Sequence, residues 1–437
     1  MHAQMRGRSL TGVFRETCCH GACHGDDYKT GGDDSSRRYF LRQPVTMNPN
    51  RMSSPPSIVT AVSRTGPWES RYSMIDAFRG LAAFGVVCHH LYIGSSFNLG
   101  HICVMVFFVI SGYCIAATSE SCVRNGVGFG GFMWRRLRRI YPPYFFAVLF
   151  FLATRYLKQA VGAGNQISSS VMEWMQNLTL TQWTHLPFDP KSFSAENTHL
   201  FVSAFWSLNY EEQFYLLMAV FAALAISFRL PIRRSVAVLA IPCLVWNVIY
   251  PSISYGLFVE YWVHFAIGVI VYYRLCRSAS RAATLATDLG LSAFAIMSLI
   301  GWYVHPTDAR WVYKEWAVVS LFGLALILLR RWDGAFRQSL WGRALCAFGL
   351  ITYSLYLTHQ FILRPTRAIA DKLVAHGIPH FLTIPIQMVE LVLIATVFWY
   401  LCERPFLNRP LSRTPRNAPG GPRSSDKIRE PNLSPAS

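Results

Sequence analysis

From about residue 75 to residue 402 the chain is a succession of apolar stretches, each about 20 residues long. A helix rises 1.5 Å per residue, so a stretch of that length crosses the roughly 30 Å hydrocarbon core of a bilayer. One such stretch fits a buried helix of a soluble protein, but an unbroken series of them does not. Composition agrees: 52% of the 437 residues are hydrophobic and only 15% are charged, against about 25% charged in soluble domains. A disordered chain, a coiled coil and a cytosolic nucleic-acid binder are excluded. The sequence predicts an all-α fold, a polytopic membrane helix bundle of about ten transmembrane helices. The spans fall near 77–95, 101–118, 140–157, 206–228, 234–250, 253–274, 285–304, 311–329, 343–362 and 380–402.

The few charges are mostly positive, with a formal net charge of +18. Cytosolic loops of membrane proteins are enriched in Lys and Arg, so the distribution of these charges sets the orientation. With the N-terminus inside, four inner loops carry 15 basic residues, grouped at Arg124 to Arg139, Arg229 to Arg234, Arg274 to Arg281 and Arg330 to Arg343. The outer side carries eight. Both termini are therefore predicted to be cytosolic, and most of the excess charge reports orientation and not nucleic-acid binding. Residues 1–70 and 408–437 are polar and rich in Arg, Ser and Pro, and they read as disordered cytosolic tails around a membrane domain at 71–407. Met47, Met52 and Met74 are alternative starts within or just after the first tail. The cluster Cys18, Cys19, His20, Cys23 and His24 lies in that tail, so no metal site is assigned to it. The eleven cysteines are odd in number and most lie in apolar spans, which gives no disulfide framework. The long outer connection, 158–205, reads equally well as a simple connector or as a lid or interfacial helix.

Ionisable groups inside a bilayer are costly, and each is a candidate functional residue. Arg79 and His90 in the first span are 11 residues apart. At 100° and 1.5 Å per residue they share one helix face, about 16 Å apart along the axis, with Arg79 cytosolic and His90 in the outer half. The bland reading has Arg79 snorkelling to the headgroups and His90 donating a structural hydrogen bond. His89 is turned away by about 100° and is the weaker candidate. Ser111-Gly112 in the second span suits close helix packing. Arg136 and Arg139, spaced i, i+3 in the basic run that follows, suit phosphate groups or lipid headgroups. Glu211 and Glu212 enter the membrane in the fourth span, where they need a partner or water. Glu260 and His264 are spaced i, i+4 and are expected to pair with each other. In the ninth span Tyr353 and Tyr356 fall mid-membrane and His359 near the outer end. Acid/base groups His90, Glu211 and His359 thus gather in the outer half, and Arg79, Arg136 and Arg139 on the cytosolic side. A site holding a phosphorylated donor inside and moving protons outside has this layout.

Six segments, in order, resemble the acyltransferase 3 family of integral membrane O-acyltransferases, which includes bacterial O-antigen and exopolysaccharide acetylases. FRGLAAFGVVCHH resembles the family's R-x10-H first helix, with Arg79 and His90 on its two positions. GHICVMVFFVISGYCI, RRLRRIYPPY, FWSLNYEEQFYLL, FGLITYSLYLTHQFIL and CERPF resemble its later motifs, over about residues 72–406. Cys103 and Met105 stand where many members carry a glycine and an acid, and Ile351-Thr352 where they carry a small residue and Ser. The resemblance is to the stand-alone type, without a fused hydrolase-like domain. It implies transfer of an acyl group, commonly acetyl, from cytosolic acyl-CoA to a hydroxyl of an extracytoplasmic glycan, at the bacterial inner membrane. No bound cofactor or metal is expected; acyl-CoA is a substrate. The implied roles are catalytic for His90, Arg79 and Glu211, donor-binding for Arg136, Arg139 and Ser111, and acceptor-side for Tyr353 and His359. His90 would act as general base or as a covalent relay of the acyl group. The rival reading is a transporter with a buried His/Glu proton relay; no repeat of the kind many transporters show relates the two halves.

Overall fold

The computed structural model describes residues 72–407, except 92, 94–96, 161, 163–169, 186–200, 251–255, 278–279 and 307–311. Both tails and the Cys18–His24 cluster therefore lie outside the described residues. Thirteen α-helices are described: α1 (Ser73–His90), α2 (Leu99–Arg124), α3 (Phe129–Ala160), α4 (Val171–Thr179), α5 (Trp206–Phe228), α6 (Ile232–Ile249), α7 (Trp262–Cys276), α8 (Arg281–Val304), α9 (Val312–Leu329), α10 (Asp333–Gln338), α11 (Leu340–Phe348), α12 (Thr352–Ala375) and α13 (His380–Phe398). No strand occurs among the described residues.

Seven of these helical segments are long and apolar enough to cross a membrane, and α11 with α12, bent by 62° at their junction, brings the number to eight. The predicted ten is reached only by adding α1, whose apolar run is broken by Asp76 and Arg79, and α7, which has 15 residues. Large apolar side chains on the outside, among them Val238, Met297 and Leu393, are 60% or more exposed. Such a surface would be a liability in water and is ordinary against lipid. The chain is a multi-pass membrane protein.

The most enclosed span is α2, which packs on α1, α5, α7 and α9. Its closest approach is to α7: a Cβ on Gly112 would lie 2.1 Å from the Phe265 carbonyl oxygen, and one on Gly268 would lie 1.9 Å from that of Val109. The packing expected from Ser111-Gly112 is thus made by the glycine, in the manner of small residues in membrane helix pairs. Gly268→Ala should force the two helices apart at an overpacking cost of about 1–3 kcal/mol. A lowered unfolding temperature of the purified protein, larger than that for Gly290→Ala, where a Cβ meets open space, is the expected result.

On the other flank α12 packs on α13, α1 and α3. Two polar ties anchor α1. At its start Asp333 of α10 accepts the Met74 amide at 2.9 Å, satisfying one of the orphan donors of a helix N-terminus. At its end Arg367 of α12 donates to the His90 carbonyl. Pro142 and Pro143 stand inside α3, and the hydroxyls beside them reach toward α4: that of Tyr141 lies 2.8 Å from the Thr179 carbonyl and that of Tyr144 donates to the Asn177 carbonyl. These bonds hold α4, part of the outer connection, against α3; its Val171, Met172 and Met175 are exposed apolar residues.

One expected pair is not formed. Glu260 belongs to a short 3₁₀ turn, Phe258–Glu260, ahead of α7, so helical i, i+4 geometry does not bring it to His264. It accepts instead from Tyr210 at 2.7 Å and from the Gly256 amide at 2.9 Å. His264 faces Glu315 of α9 at 3.2 Å, and the other oxygen of Glu315 meets His101 of α2 at 2.6 Å.

Candidate active site

Helices α1, α2, α3, α5 and α12 converge on an internal cavity of about 110 Å³. Seven residues singled out from the sequence line it: Arg79, Ser111, Arg136, Arg139, Glu211, Tyr353 and Tyr356. They arrive from five segments spread over the chain.

The arginine end is built first by α3. Arg136 is 7% exposed; its Nη2 donates to Thr118 at 2.5 Å, and its guanidinium lies 5.3 Å from the centre of the Tyr215 ring and 5.9 Å from that of Phe132. Its Nε is buried and has no hydrogen-bond partner among the described residues. Arg79 does not snorkel outward. It turns into the cavity, 3.3 Å from Asp76 one turn before it and 3.2 Å from the Cys114 sulfur. Tyr353 joins this end, donating to the Ile140 carbonyl at 3.0 Å.

At the centre Glu211 accepts from Ser111 at 2.7 Å and from Tyr215 one turn further along α5. Tyr215 therefore links the carboxylate to Arg136, donating to the one and presenting its ring to the other. Glu212 points elsewhere, accepting from Tyr141 at 2.6 Å. The tandem acids are thus separated by helix geometry: one serves the cavity, the other ties α5 to the Tyr-Pro-Pro-Tyr segment of α3.

His90 and His359 do not line the cavity. They lie behind its Tyr356 wall, with ring centres 5.0 Å apart; His359 is one turn beyond Tyr356, at 5.8 Å between rings. Tyr356 itself shares a 2.7 Å hydrogen bond with Ser207 and donates to the Ala204 carbonyl. His359 is fully buried. Its Nδ1 sits 2.7 Å from the Tyr356 carbonyl, which only accepts, so Nδ1 carries the proton. In the neutral ring Nε2 is then a bare acceptor, and it has no partner among the described residues. His89, the weaker candidate, packs its ring against Gly100, where a Cβ would lie 2.6 Å from it.

Two participants were not singled out from the sequence. Glu403, 1% exposed, accepts from Ser354 at 2.5 Å and lies within electrostatic reach of Arg139 and Arg79. It sits in a π-helical turn, Trp399–Glu403, a feature common at functional sites. The signal was the CERPF segment, where an acid closes an apolar run. Ser207, which holds Tyr356, had its signal in the FWSLNYEEQFYLL segment.

The fold is a multi-pass helix bundle whose cavity has arginines at one end and a histidine pair beyond the other. The acyltransferase domain family matches residues 72–404, and the chain belongs to it. Similar proteins include the O-acetyltransferase OatA of Staphylococcus aureus, 24% identical over 328 residues, covering 66% of this chain and 50% of that protein. YrhL of Bacillus subtilis, provisionally named a peptidoglycan O-acetyltransferase, is 24% identical over 356 residues, covering 76% of this chain and 54% of its own length. The chain thus spans about half the length of these relatives. No solved structure gives a significant match.

Proposed function

We propose that this protein is an O-acetyltransferase of the bacterial inner membrane. In this reading it moves an acetyl group from acyl-CoA, entering at the arginine end, to a hydroxyl of a cell-wall or surface glycan at the histidine end. The carrying observation is the alignment of polar groups from Arg136 and Arg139, past Glu211 and Ser111, to Tyr356, with His359 and His90 directly behind it. The names of the relatives support acetyl as the group and peptidoglycan as one acceptor class.

A cavity of about 110 Å³ is smaller than the 300–1,000 Å³ of most ligand pockets. It has room for the reacting thioester end of a donor, while the phosphates stay at the arginines. A sugar hydroxyl loses its proton only far above neutral pH, so attack on the thioester carbonyl needs a base in place. In this reading Tyr356 moves aside as the acceptor enters from the histidine side, and His90 takes that proton as the hydroxyl oxygen bonds to the carbonyl carbon. The carbon–sulfur bond then breaks, and the departing thiolate is reprotonated to free CoA thiol. The bare Nε2 of His359, beside His90, orients the imidazole or accepts its proton. Ser111 is fixed by Glu211 and stands where the thioester carbonyl would lie.

Labelled acetyl-CoA supplied to inverted membrane vesicles tests this reading. Consumption of the thioester with label appearing on a glycan is expected. Movement of intact solute with no thioester consumed would instead identify a transporter.

A further inference from the structure

We propose that the groove between α6, α7 and α8 is a binding site for an anionic phospholipid of the leaflet on the arginine side. The groove encloses about 470 Å³ and is separate from the catalytic cavity. On each of its three walls the lining covers the same length: Arg233 to Leu244 on α6, Val263 to Arg274 on α7, and Ala283 to Phe294 on α8. Eleven helical steps correspond to about 16 Å, close to half of the roughly 30 Å hydrocarbon core. The groove is therefore one leaflet deep. A transmembrane helix would need about twice that length.

Its depth offers a ligand no polar partner. The two hydroxyls that line it are already engaged, Tyr273 to Glu120 at 2.9 Å and Thr287 to the Ala283 carbonyl at 2.8 Å. A Cβ placed on Gly290 would meet nothing within 4 Å, so this wall is left unfilled by protein. A peptide lying here would leave its backbone groups unsatisfied; a hydrocarbon chain would not.

The mouth is different. Arg274 on one wall is neutralised by Asp288 across the groove through two hydrogen bonds of 2.7 Å each. Arg233 and Arg234, at the start of α6, are exposed and have no carboxylate within ion-pair distance among the described residues. Among the described residues the mouth keeps two positive charges without a paired carboxylate, at the level where an apolar, leaflet-deep slot opens. An apolar chain joined to an anionic phosphodiester complements both parts, and basic residues of this kind favour anionic lipid.

The experiment uses the full chain in nanodiscs of equal phosphatidylglycerol and phosphatidylcholine, with the lipid retained on release read by native mass spectrometry. Wild type should retain phosphatidylglycerol over phosphatidylcholine by about tenfold. R233Q/R234Q should abolish the preference and R233K/R234K should keep it. A286W, which fills the groove with both arginines intact, should lose the bound lipid. Each variant is compared as the monodisperse species from size exclusion. An undiminished preference in R233Q/R234Q, or lipid still held by A286W, overturns the proposal. Displacement of the lipid by inorganic phosphate alone also overturns it, since the tail would then contribute nothing.

Discussion

His90→Ala is expected to reduce acyl transfer by about 10²–10⁴-fold, the usual contribution of a positioned general acid or base, while the protein stays folded in the membrane. The retention of the fold follows from how His90 is held. Its structural tie is main-chain: the carbonyl accepts from Arg367 of α12, and that bond survives any side-chain replacement. The imidazole itself lies 5.0 Å from the ring of His359, and an imidazole is the side-chain type most often used as a general base. If the two rings act as one unit, His359→Ala should cost a similar factor. The double variant should then be no worse than the more severe single variant, as for residues whose effects are non-additive. Rates of label transfer in membranes, normalised to protein content, decide this. Transfer in His90→Ala at the wild-type rate removes the imidazole from the mechanism, and strictly multiplicative losses would show that the rings work separately.

The parts of this protein legible in its sequence are those set by short-range periodicity. The shared face of Arg79 and His90 follows from 11 helical steps, and the structure turns Arg79 into the cavity and places His90 beyond its far wall. The spans were readable from apolar length, because lipid removes the alternatives that soluble proteins have for unsatisfied backbone. What sequence spacing could not show was which helices meet. Glu211 and Glu212 are adjacent in the chain, yet one bonds Ser111 and the other Tyr141, a division made by the positions of α2 and α3. The Glu260–His264 pair failed because the break before α7 falls between them, and helix boundaries are the weakest part of any sequence reading. Glu403 lies 324 residues from Arg79 in sequence numbering, and only the return of the last span past α3 and α12 brings it near.

Arg136→Ala is the second change with a large expected effect, and it separates donor binding from chemistry. A buried guanidinium is costly unless an anion accompanies it. Arg136 has no ion-pair carboxylate among the described residues: its contacts are the Thr118 hydroxyl and the faces of Tyr215 and Phe132. The aromatic faces hold the guanidinium plane in position, and the unpartnered Nε leaves one donor available. Charge-assisted hydrogen bonds are worth about 1.5–3 kcal/mol, and 1.4 kcal/mol corresponds to tenfold. Loss of a donor phosphate contact should thus raise the KM for acyl-CoA by about 10- to 100-fold, with a much smaller change in kcat. Arg136→Lys should recover only part of the affinity, because an ammonium keeps the charge but loses the planar stacking and the fork of donors. Initial rates in inverted vesicles, measured across acetyl-CoA concentration, give the two constants separately. A fall in kcat at constant KM would place Arg136 in the chemical step instead. Unchanged constants would mean that the donor's phosphates are held elsewhere, leaving Arg139 and Arg79 as the cations of the site.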